Sequence, residues 1–200
     1  MRSAATLAIA GSRARALWKI AALLVIASAI GGAGIQLMEP ATTRIAAHAL
    51  LISLVAIAIA YANGAATRND PFAAVEEAAP LFGRQRARAN AIVPAAILMV
   101  CAGAQFLLSS FTPFVIDAAA ALTALPIALS VPMRSRWNGL LYAVFAMAAA
   151  LLCAAFGSAV GNSTQSDVAA IMASIAVAAM IGFLTLRQYG ETLARYDPLP

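Results

Sequence analysis

The chain has 200 residues, 63% apolar and only 10% charged, with a mean hydropathy of +0.88 and a formal charge of +5. Soluble domains carry about 25% charged residues, and a soluble fold of this composition would expose apolar surface on a scale that invites aggregation. The composition points to an integral membrane protein. The bases form no dense patch of the kind that binds nucleic acid; they sit at the ends of apolar runs, as the cytoplasmic flank of a membrane requires.

Residues 1–16 carry Arg2, Arg13 and Arg15 around a short apolar patch, Ala4 to Ala10. Seven residues cannot cross a hydrocarbon core of about 30 Å. With Arg13 and Arg15 following the patch directly and a longer apolar run after them, the segment reads as a short interfacial helix rather than a signal peptide. The first span is expected over 17–38, with Trp18 and Lys19 at its inner end and a small-residue run, Ala27 to Gly34, that lets another helix approach closely. Glu39-Pro40 ends it. The second span, 45–62, holds the only histidine, His48, one turn inside its boundary. A single histidine builds neither a bis-His haem nor a three-ligand metal site, so it reads as interfacial or pore-lining.

Spans three to six are expected over 91–111, 114–133, 139–156 and 168–186. Gln105 is the one strongly polar residue inside span three, and Pro94 lies in its first turn, where a missing N–H costs little. Spans three and four are joined by a tight turn, Ser109 to Pro113. Asp117 stands one turn into span four, where Pro126 predicts a kink or a break. Span five closes on Gly157 and Gly161, a GxxxG pattern that permits close packing or leads into the outer loop, read as Gly161 to Asp167. Cys101 and Cys153 form no CxxC or metal spacing and read as small buried hydrophobes.

Twelve of the thirteen bases fall on the side of the N-terminus; only Arg44 falls on the other. The positive-inside rule then predicts an all-α, six-span protein of the cell (inner) membrane with both termini cytoplasmic. Neither a P-loop nor H-E-x-x-H, G-x-S-x-G or a Cys/His cluster occurs. No enzyme activity and no cofactor are therefore expected. Gln36, His48, Gln105 and Asp117 outline a polar vestibule on the outer side, or else are ordinary interfacial residues.

The long polar interruption, 64–90, is read as cytoplasmic. Asp70 caps a helix opening on Pro71. Phe72, Val75, Ala79 and Phe82 form an apolar stripe, with Glu77 opposite and Glu76 at the flank. Pro80 and Gly83 end the helix before Arg84, Arg86 and Arg88, which suit anionic headgroups. This is a surface-lying connector or a docking surface for a cytoplasmic protein.

Six spans, cytoplasmic termini and the stretch Glu76-Glu77-Ala78-Ala79-Pro80-Leu81-Phe82-Gly83-Arg84 resemble the membrane (permease) subunit of an ABC type-2 exporter. The resemblance implies a transport function, a coupling helix over 71–82 seated in a separate ATPase subunit, and an amphipathic entry helix over 1–16. Phe72, Val75, Glu76, Glu77 and Arg84 would make the partner contact, and the subunit would dimerise or pair with a sister subunit. The outer loops are shorter than that family's, and little room is left for a re-entrant segment between spans five and six. A second reading is the substrate-binding membrane subunit of a vitamin or metal importer, in which Ala29 and Ala33 dock a scaffold. A third is an accessory membrane protein that transports nothing.

Overall fold

A computed structural model describes residues 2–39, 41–68, 83–107, 111–129 and 136–196. Within them six helices follow in order: α1 (Arg2–Gln36), α2 (Ala41–Arg68), α3 (Gly83–Gln105), α4 (Phe111–Leu129), α5 (Arg136–Thr164) and α6 (Asp167–Tyr196). The expected helix of the 71–82 segment lies outside the described residues. Four of the six contain stretches long and apolar enough to cross a membrane: Ala14–Gln36, Thr43–Ala65, Ala143–Thr164 and Asp167–Gln188. The apolar runs of α3 and α4, Ala91–Gln105 and Val115–Leu125, are shorter. In α3 the arginines of its first turns account for this; α4 is described over 19 residues in all.

Neighbour contacts set the helix directions. Gly31 packs on Leu51 and Gln36 reaches His48, so α1 and α2 are antiparallel. Gly157 faces Ser174 and Gly161 faces Ala170, which makes α5 and α6 antiparallel as well. Gly32 packs on Gln105 in the same sense as the chain runs in both helices, and Cys101 faces Ser28 four residues earlier in each. Helices α1 and α3 are therefore parallel, as the first and third members of an up-and-down bundle must be.

The core gathers around α4, which packs on α2, α3, α5 and α6. Its buried face is alanine-rich, with Ala118 to Ala121 and Ala124 alongside Ile116 and Leu125. It meets Ile52, Ala56 and Ile59 of α2, Leu98 and Cys101 of α3, and Ala146, Ala150 and Cys153 of α5 in one cluster. In lipid, association rests on van der Waals contact and hydrogen bonds rather than on exclusion from water, so side chains this small favour the packing. Outward faces carry the large apolar residues: Leu23, Ile26 and Ile30 on α1, Leu152 and Phe156 on α5, and Met172, Met180 and Phe183 on α6.

Three expectations change. The N-terminal segment is not a separate element: α1 runs unbroken through it for 35 residues, about 52 Å at 1.5 Å per residue. The segment is alanine-rich, contains no proline, and offers only Gly11 as a weak point. Residues 161–164 are helical rather than loop, so both glycines of the GxxxG lie inside α5. A two-residue connection, Gln165 and Ser166, remains. Gln165 takes a left-handed φ of 50°, and Ser166 N–H donates to the Gly161 carbonyl at 3.3 Å, the Schellman arrangement that satisfies the last carbonyls of a helix. Ser166 Oγ then accepts from Ala169 N–H at 3.4 Å, capping α6, whose first turn carries Asp167. Finally, α4 continues past Pro126 to Leu129. The helix therefore does not break at Pro126, although the proline removes one backbone hydrogen bond.

Candidate functional site

Three polar side chains meet at the end of the bundle where α1 and α3 finish and α2 begins. Gln36 is the last residue of α1, Gln105 the last of α3, and His48 lies in the second turn of α2. The His48 ring is buried, with Nε2 3.4 Å from Gln36 Nε2 and Nδ1 3.4 Å from Gln105 Oε1. One neutral tautomer satisfies both contacts: Nδ1–H donates to Gln105 Oε1, and the bare Nε2 accepts from the Gln36 amide. Both distances are at the long end for hydrogen bonds. The Phe106 ring lies 4.2 Å from the imidazole, centroid to centroid, tilted by 40°, and closes one face of it.

Gln105 is 3% exposed, and its Nε2 has no hydrogen-bond partner among the described residues. Glycine at position 32 makes this placement possible. A Cβ there would come within 2.6 Å of Gln105 Cα and would collide with its carbonyl. Beside Gln105 the two helices part into a cleft of about 280 Å³, lined by Ala29, Ala33, Gln36, Ala104, Gln105 and Leu107. Its volume falls just below the range for small-molecule sites, and its wall is mostly apolar.

The expected vestibule is therefore assembled in part. Gln36, His48 and Gln105 are in contact; Asp117 is buried in α4 at 2% exposure, makes no hydrogen bond to them, and its Oδ1 is without a partner among the described residues. It belongs with a second polar group on the other side of the bundle. There Cys153 Sγ donates to the Ser174 carbonyl at 3.4 Å, and the Ser174 hydroxyl is buried without a partner among the described residues. Glu39 is exposed and Arg44 half-buried, one turn before His48. Phe72, Val75, Glu76 and Glu77, the expected partner contact, lie outside the described residues. Arg84 falls in the first turn of α3, its side chain outside them.

Sequence reasoning missed Phe106, Gly32 and the cleft. The signal for Gly32 was present in the ASAIGGAG run, but nothing in the sequence says which helix that run receives. Among the described residues no three His, Cys, Asp or Glu side chains come together to hold a metal. The triad offers neutral donors and acceptors to a bound molecule, with no nucleophile–base pair. Comparison with known proteins finds no matching family model, no matching curated relative and no matching solved structure.

Proposed function

We propose that this chain is the membrane subunit of a multi-component transporter. In this reading it crosses the inner membrane six times with both termini in the cytoplasm, and it handles a small solute at the Gln36–His48–Gln105 end. The observation that carries the reading is that polar triad, with His48 and Gln105 buried, beside a cleft at one end of a mostly apolar bundle. Polar groups at membrane depth are costly and are kept for function. The lopsided arginines support the orientation, which puts the triad on the outer side. In this reading energy comes from a cytoplasmic ATPase, as in the exporter permeases the chain resembles. The acidic-helix, proline and arginine order of 76–84 supports the 71–82 segment as its seat, as in the exporter permeases it resembles.

The cleft favours a second form of the same reading, a capture subunit of an importer in which the solute is held at the outer end. The two forms separate in one experiment. The full chain is purified in mild detergent from its native host, alongside a variant carrying Phe72→Ala, Glu76→Ala and Glu77→Ala. The permease form predicts an ATPase that co-purifies with the parent and is lost from the variant while membrane insertion is unchanged. An ATPase retained by the variant removes the assigned contact. No ATPase with either chain rejects the permease form.

A further inference from the structure

We propose that the cleft between α1 and α3 binds a small organic ammonium ion, whose N–H groups donate to acceptors at the Gln36 end and whose apolar body lies along the alanine wall. The proposal rests on the transport reading only in making this ligand the solute; the site itself stands on acceptors, charge and shape. Gln36 closes α1, lines the cleft and is only half-buried, so its side chain is within reach of a ligand there. Its Nε2 is committed to His48, which leaves Oε1 as an acceptor. Two main-chain acceptors belong to residues of the same lining. The carbonyls of Gln36 and Ala104 lie in the last turns of their helices and receive no backbone N–H from a described residue, as is usual at a helix C-terminus. For Gln36 the residue four positions on is Pro40, which has no N–H to give.

The sign of the charge follows from the parallel pairing. Because α1 and α3 run the same way and both finish here, their negative dipole ends stand side by side, and such ends favour a cation. The fixed charges close in sequence do not decide the matter: Glu39, three residues past Gln36, and Arg44, four before His48, are of opposite sign, and neither lines the cleft. An anion is repelled by the two helix ends, and a neutral acceptor meets only further acceptors. Shape limits the ligand. Ala29 and Gln36 are seven residues apart on α1, so the cleft runs for about 10 Å at 1.5 Å per residue. Its volume of about 280 Å³ and its alanine walls suit a single ring or a short chain. A bare inorganic cation would trade its hydration for walls that are mostly apolar and hold no carboxylate, so the apolar body is part of what is recognised. The headgroup of phosphatidylethanolamine carries the same ammonium, and the test distinguishes the two sources.

The full chain is reconstituted in nanodiscs of phosphatidylcholine and, separately, of phosphatidylcholine with phosphatidylethanolamine added. The probe is para-fluorobenzylammonium, observed by fluorine NMR line broadening. Para-fluorobenzoate, para-fluoro-N,N-dimethylbenzamide and para-fluorotoluene serve as anionic, acceptor-only and purely apolar counterparts. The expected result is saturable broadening of the ammonium probe, equal in both lipids and several-fold above its counterparts. It falls to the empty-nanodisc level in Ala33→Leu, which fills the cleft from α1, and in Gln36→Lys, and it is unchanged in Asp117→Asn. Gln36→Glu tightens binding several-fold, a gain that misfolding does not produce. The proposal is overturned by broadening that survives Ala33→Leu and Gln36→Lys, that is no tighter in Gln36→Glu, or that is matched by any counterpart. Binding in phosphatidylcholine that is lost when phosphatidylethanolamine is added assigns the cleft to a lipid headgroup and overturns the solute identity. No ATPase is present in these nanodiscs, so failure here is separate from failure of the co-purification.

Discussion

At the scale of single residues, the two buried polar sites behave differently. Gln105 is committed through Oε1 to His48, and its buried Nε2 has no hydrogen-bond partner among the described residues. Asp117 has no hydrogen bond at Oδ1 to any described residue, although it is among the most buried side chains of the molecule. An isolated buried carboxylate is costly, so the neutral isostere should be no worse for the fold. Asp117→Asn is expected to leave thermal unfolding in detergent unchanged or to stabilise by on the order of 1 kcal/mol. A clear drop in melting temperature would show that the carboxylate has an ionic partner. The triad's residues were legible in the sequence as polar exceptions near span ends, but their partners were not. Depth along a span is read from position, whereas the pairing of Gln36 with His48 and not with Asp117 depends on how each helix is rotated about its axis.

At the scale of elements, the α5–α6 hairpin shows why boundaries were harder to read than helices. Gly161 to Asp167 is polar and reads as loop, yet the chain stays helical to Thr164 and turns through two residues. The left-handed position is filled by glutamine rather than by glycine, so the usual stop signal is missing. The GxxxG was legible and does bring helices close: a Cβ at Gly157 would overlap Ser174 Oγ. Gly157→Ala is expected to cost roughly 1–3 kcal/mol, as overpacking does. Ser174→Ala breaks no side-chain hydrogen bond to a described residue, and it should recover part of that loss when combined with Gly157→Ala. A four-way thermal-melt cycle measures the coupling. Additive losses would place the strain elsewhere, since Ser174 Cβ and the Ala170 carbonyl each stand 3.2 Å from the built atom.

For the whole molecule, hydropathy was enough to find the six helices of the described residues, because each apolar run is bounded by arginine, proline or glycine. It could not choose the order of packing, which places alanine-rich α4 at the centre and leaves much of α1 facing outward. The orientation proposed from the arginines is open to direct measurement. Reporter fusions placed after Gln165 are expected to be active only outside the cytoplasm, and fusions after Tyr196 only within it. The opposite pattern would move the triad to the cytoplasmic face and, with it, the solute's point of entry.

The parallel pairing of α1 with α3 also sets a schedule for synthesis. The cleft needs Gly32 and Gln105 together, and Gln105 follows Gln36 at an offset of 69 positions. At about 5–20 residues per second, the ribosome takes roughly 3 to 14 seconds to supply the missing wall. Over that interval Gln36 and His48 have each other within the α1–α2 hairpin, without the third member of the triad. The nascent chain thus passes through a stage in which its most polar intramembrane pair is half-built, and the arrival of α3 ends it.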